Sequence, residues 1–174
     1  IVNRHPSLRT TYGAEKGEPV QKIQHQMSVF FTQEDVSDWS ATEITDRLNR
    51  DATRPFDLLK GPLLRVSLLT QSDDLHYLLL SVHHVAIDLW SLMVVMDELQ
   101  ALYPAIKDNR DPNLPQLPFK YIDYVDWQDR TLKSEEGERL WQYWRKQLHA
   151  CHPALDLPTD HARPAIQTYK GAAE

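Results

Sequence analysis

The chain has 174 residues, 41% of them hydrophobic and 25% charged, with a formal net charge of −6. That length suits one domain or one lobe of a larger one, with enough apolar residues for a packed core. The mildly acidic balance, without any run of Lys and Arg, argues against a nucleic-acid partner. No apolar stretch reaches the ~20 residues that a membrane span needs.

Cys151 is the single cysteine, so no internal disulfide can form, and a reducing, cytoplasmic setting is expected. His149 and His152 stand near it, but closeness in sequence is not the geometry of a triad, and no nucleophilic role is assigned. The opening Ile1-Val2-Asn3-Arg4-His5 reads like the tail of a helix, and a fragment of a larger polypeptide is expected.

In chain order, residues 8–12, 20–24 and 27–31 are short strand candidates, with 13–19 separating the first two. Ser40-Ala41-Thr42-Glu43 has capping-box spacing. With Val36, Trp39, Ile44 and Leu48 as a ragged stripe, a helix is predicted over about 36–52. Pro55 stops it, because the residue before a proline avoids helical angles.

Residues 63–70 and 75–84 are predicted strands joined by a hairpin turn at 71–74. Both are apolar on both faces, as central strands are. Strand alternation would point His83 and His84 in opposite directions, provided the strand runs that far. After Asp88 the period becomes helical through Leu92, Val95, Met96, Leu99, Leu102 and Tyr103, and Pro104 is predicted to end the run. A polar loop over 108–118 follows. Two further helices are predicted, one carrying Tyr121, Tyr124, Val125 and Leu132, the other Leu140, Trp141, Trp144 and Leu148. The proline-punctuated tail from 153 onward reads as extended.

Chemistry concentrates at His83-His84-Val85-Ala86-Ile87-Asp88. A strand end beside a helix start is where α/β folds place reactive groups. An imidazole, with a reference pKa near ~6.5, can take a proton or a hydrogen bond at neutral pH. Asp88 can reach back across one turn to fix geometry, or cap the following helix. A metal site is not expected, since adjacent strand histidines diverge and a third ligand at good spacing is lacking. For His83 the better reading is a satisfied core histidine.

Four runs carry a family resemblance. Arg4-His5-Pro6-Ser7-Leu8-Arg9-Thr10-Thr11-Tyr12 resembles the arginine-histidine motif of nonribosomal peptide synthetase condensation domains. Ser81-Val82-His83-His84-Val85-Ala86-Ile87-Asp88-Leu89-Trp90-Ser91 is similar to their active-site motif. Tyr121-Ile122-Asp123-Tyr124-Val125-Asp126-Trp127 resembles the next motif. Leu155-Asp156-Leu157-Pro158-Thr159-Asp160 with Arg163-Pro164 resembles the linker after the first lobe.

The resemblance implies a chloramphenicol-acetyltransferase-like α/β (α+β) fold of two lobes with a tunnel between them. Residues 1–160 would be the N-terminal lobe, incomplete at its start. Residues 161–174 would be an extended connection toward a C-terminal lobe outside this chain. His84 would be the catalytic histidine. His83 and Asp88 would support it, with Asp88 paired to an arginine: Arg9, or alternatively Arg65, whose mid-strand charge would be costly unpaired. Leu89, Trp90 and Ser91 would line the tunnel. The implied reaction joins a carrier-bound acyl or peptidyl thioester to the amine of a carrier-bound aminoacyl thioester. His84 would either remove the amine proton or position the amine, whose reference pKa is only about 8.

No cofactor of its own is implied, only phosphopantetheine arms on upstream and downstream carrier domains, within a synthetase of adenylation or polyketide synthase modules. The histidine pair separates the chain from the cyclising subgroup, which has aspartates there. Acyltransferases and epimerisation domains of the same fold share the motif, and condensation-like modules that recruit partners without forming bonds are a further alternative. Leu89 stands where the family usually has glycine. Leucine resists the backbone angles and close approach that glycine permits, so it either occupies ordinary helical geometry and narrows the tunnel or is strained.

Overall fold

The computed structural model describes residues 1–151, 158–162 and 164–166, and the expected connection over 161–174 lies largely outside them. The chain divides into two compact units, Ile1–Asp126 and Trp127–Glu174.

In the first unit, the expected strand at 8–12 begins late. Pro6 opens a 3₁₀ turn, Pro6–Arg9, that buries Leu8. Proline's fixed φ and missing N–H suit such a start. Strand β1 (Thr10–Glu15) then pairs antiparallel with β2 (Glu18–Ile23). The turn lies at Lys16 and Gly17, with φ of 54° and 87°. Two successive positive φ values match the twist of a tight hairpin. The stretch read as a separator is therefore mostly strand, and Pro19 is accommodated because a two-stranded ribbon offers only edges.

The larger sheet has the order β3-β4-β5. Strand β3 (Phe30–Asp35) runs parallel to β4 (Leu64–Ser72), and β5 (Leu75–Val82) runs antiparallel to it. A parallel pair needs a crossover, supplied by helix α1 (Ala41–Thr53). The Ser40 hydroxyl accepts from the Glu43 amide at 3.3 Å and the Glu43 carboxylate accepts from the Ser40 amide at 2.8 Å, closing the predicted capping box. The helix starts at Ala41 rather than near 36. Val36 is instead bonded to β4, its amide donating to the Thr70 carbonyl at 2.8 Å. Val36 and Ile44 pack with Leu69 of β4 to form one core, flanked by Trp39, Leu48 and Tyr77. A second core joins Val2, Leu8 and Leu64.

Of the two strands expected to be central, only β4 is bonded along both edges among the described residues; β5 is an edge strand with Leu75 and Leu78 exposed. An apolar pattern on both faces reports what a strand can bury, not how many neighbours it has. The β4–β5 ladder closes at Leu64 opposite Val82, so both histidines lie past the strand and alternation does not govern them.

Helix α2 (Leu89–Lys107) contains Pro104 rather than ending before it. Proline forgoes one ladder bond, a loss confined here to the last turn. The actual stop is Asn109 at φ 54°. The Arg110 amide donates to the Ala105 carbonyl at 2.7 Å and the Asn109 amide to Ile106 at 3.1 Å, which is the bonding of a left-handed helix cap.

Helix α3 (Tyr121–Leu132) starts in the first unit and ends in the second, which also holds α4 (Glu135–Leu148). Both match the predicted helices. Ser134 caps α4, with Glu135, Glu136 and Glu138 in its first turn and Arg145 and Lys146 in its last, a distribution that complements the helix dipole. At Gly137 a Cβ would collide with the Thr131 and Leu132 carbonyls, so the α3–α4 corner admits no larger residue without shifting. No helix among the described residues is long and apolar enough to cross a membrane.

Candidate active site

The loop from His83 to Asp88 joins the end of β5 to the start of α2 and is fixed from several sides. The His83 amide donates to the Leu63 carbonyl at 3.0 Å, and the Ala86 amide to the His83 carbonyl at 2.9 Å. The Val85 amide donates to His83 Nδ1 at 3.1 Å. The Tyr12 hydroxyl donates to the Val85 carbonyl at 3.2 Å. Burial, and then the neighbouring Tyr121, push the Tyr12 phenol above its ordinary pKa, which keeps it a donor. The His83 ring stands edge-on to Phe56, centroids 6.0 Å apart, and is half-buried. His84, one residue on, is exposed.

Asp88 is the N-cap of α2, accepting from the Ser91 amide at 2.8 Å and the Ser91 hydroxyl at 2.5 Å. These bonds hold its carboxyl below the usual carboxylate range, with a smaller contribution from His84. The helix-capping reading is what the structure shows, and the arginine pairing is corrected. Arg9 donates instead to the Gln24 carbonyl, and its Nε is buried without a hydrogen-bond partner among the described residues. Arg65, 7% exposed, donates to the Asp51 and Pro55 carbonyls at 3.4 and 3.1 Å and to the Arg54 carbonyl. Both arginines are spent on backbone carbonyls, while a capping carboxylate has two donors of its own one turn away.

Leu89 is the first residue of α2 and is 75% exposed. The non-glycine residues with positive φ among those described are Lys16, Asn109 and Asn113, so leucine occupies this position in ordinary geometry. Trp90 and Ser91 line a cleft of about 170 Å³ with His5, Ser7, Ala86 and Val94.

One charged cluster was not anticipated. Glu98, 7% exposed, receives Arg4 Nε on one carboxylate oxygen and His5 Nε2 on the other, both at 2.8 Å. Burial alone would raise the Glu98 carboxyl, but the two hydrogen bonds and charges outweigh it and hold it below its ordinary value. A signal existed: Glu98 falls at helical spacing between Val95 and Leu102, on the inward stripe, where a carboxylate requires partners.

Solved structures share the fold. The epimerization domain from the third module of tyrocidine synthetase B superposes with a TM-score of 0.81 at 24% identity, covering 93% of this chain and 37% of that one. The X-domain from teicoplanin biosynthesis gives 0.81 at 29% identity, covering 95% and 37%. The profile of the condensation-domain family matches residues 1–174, and the chain belongs to that family. It is 38% identical over 175 residues to the chondramide synthase of Chondromyces crocatus, an alignment spanning 98% of this chain and 4% of that protein. The chain thus spans a small part of that relative and just over a third of the two solved domains.

Proposed function

We propose that residues 1–160 form the N-terminal lobe of a condensation domain that makes an amide bond between two carrier-bound substrates, with His84 as its catalytic residue. The observation that supports this most is the contrast within the loop: both chain neighbours of His84 are tied down, while His84 itself stands open in the loop that leads to the capped start of α2. A reacting imidazole needs that combination of fixed position and free access. The synthase similarity supports this substrate class.

In the proposed reaction the acceptor amine nitrogen attacks the donor thioester carbon. The C–N bond forms, a proton leaves nitrogen, and the tetrahedral species collapses. The C–S bond breaks, and the phosphopantetheine sulfur leaves with the electron pair and takes up a proton. His84 either receives the amine proton or aligns the lone pair. His83 and Asp88 hold the loop and the helix start. Leu89, Trp90 and Ser91 face the substrates, and Leu89 in ordinary geometry restricts their size instead of straining the backbone. The domain needs no cofactor of its own, and its partners are carrier domains on either side, adenylation or polyketide synthase modules and the C-terminal lobe. A cytoplasmic, reducing setting suits the single thiol.

His84→Ala in the intact domain is expected to cut single-turnover amide formation by roughly 10²–10⁴-fold. Retention of near-normal coupling with both carriers loaded would refute the assignment. His84→Asn discriminates the two roles, since an amide can align a lone pair but cannot accept its proton.

A further inference from the structure

We infer that Arg65 and Phe56 are positioning residues for the amide-forming site, acting through the His83 ring to fix the loop that presents His84; the inference rests on the proposed role of His84. Arg65 is a buried cation that makes no salt bridge among those described, the Asp51 carboxylate acting on it only at longer range. Its guanidinium is tied to the carbonyls of Asp51, Arg54 and Pro55, where α1 gives way to the irregular stretch that follows. Its guanidinium carbon lies over the Phe56 ring, 3.8 Å from Cζ to the centroid. Phe56 in turn meets His83 edge to face at 6.0 Å.

The three side chains form a stack running from the end of α1, across the start of β4, to the start of the active loop. A buried guanidinium costs stability, and carbonyl dipoles, an aromatic face and the more distant Asp51 carboxylate only partly compensate. What the arrangement provides is orientation. The planar fork has one geometry in which it meets its carbonyls, and that geometry sets the plane against which Phe56 rests. The oriented Phe56 then leaves His83 one ring position, in which Nδ1 accepts from the Val85 amide. That bond fixes the residue directly after His84. Without Phe56, His83 regains rotamer freedom, the Val85 bond is no longer enforced, and His84 loses its fixed direction, although none of its own atoms has been altered.

The test uses the intact condensation domain with both carriers loaded and histidine labelled with ¹³C. Phe56→Leu should shift the His83 ring signals, because the edge-on aromatic is gone. It should lower the single-turnover rate per folded molecule by about ten- to a hundredfold, the scale of a misplaced reacting group, with half-saturation by the carriers unchanged. Phe56→Tyr, which keeps the ring, should restore both. Arg65→Lys should behave like Phe56→Leu, since an ammonium has no plane to stack.

A Phe56→Leu protein with lowered thermal midpoint but wild-type rate per folded molecule would overturn the inference, as would unmoved His83 signals. If His84→Ala in the same assay keeps its rate, the functional reading has failed instead. The His83 signals then decide the stack on their own.

Discussion

His83 and His84 are chemically identical neighbours, yet one has its amide, carbonyl and Nδ1 all hydrogen-bonded and the other is open to solvent. Position past the end of β5 makes the difference: the ladder's last tie reaches His83 through Leu63 and goes no further. Glu98 is the other residue whose surroundings define it. Replacing it by Gln would leave the Arg4 and His5 donors facing a neutral group in a buried place. The loss expected for weakening such a part-buried cluster is about 1–3 kcal/mol, read as a lower urea midpoint. Because the folded-state value of Glu98 is depressed, its contribution is complete above the unfolded carboxylate pKa. It is lost as pH falls through the lower folded value. The midpoint of the wild type should therefore fall with acidification in that window, and that of Glu98→Gln should fall less. The motif around Arg4 and His5 was legible in the sequence, but its partner was not, because it lies 94 and 93 residues away. Phe56 was hidden for a different reason: next to Pro55 it reads as the end of a helix, and nothing local says that its ring faces a histidine.

Local signals were the ones that predicted elements well. The box at Ser40 and the periodicities of α3 and α4 each depend on residues within a turn or two. Where two local stop signals competed, the sequence misled: Pro104 reads as a terminator, but the cap geometry that ends α2 belongs to Asn109, five residues on. The Asp88 role was split by range, helix capping being local and the arginine pairing a matter of tertiary reach. The cap has its own prediction. Asn is nearly as good as Asp at an N-cap, so Asp88→Asn should leave the thermal midpoint close to wild type, whereas Asp88→Ala should lower it. Equal losses in both variants, by calorimetry, would mean that the charge and not the cap matters.

At the scale of the molecule, large apolar side chains stand in the open in both units: Trp90, Tyr103 and Phe119 in the first, Trp141 and Trp144 in the second. Patches of that kind mark surfaces that other protein covers. The solved domains of this class, of which the chain spans 37%, supply much more polypeptide to cover them. Expressed alone, the 174-residue chain is expected to self-associate, seen as concentration-dependent light scattering, and to form no amide from loaded carriers.

The sheet also carries a clock. Strand β4 has a hydrogen-bonded neighbour on each side, while β3 and β5 have one each within the described sheet. An amide can trade its proton for deuterium only when its bond opens, and opening β4 means parting it from both companions. Deuterium should therefore arrive last at residues 65–70, later than at 31–35, and a solvent pulse lasting minutes to hours should leave β4 as the protonated spine of a molecule already labelled around it.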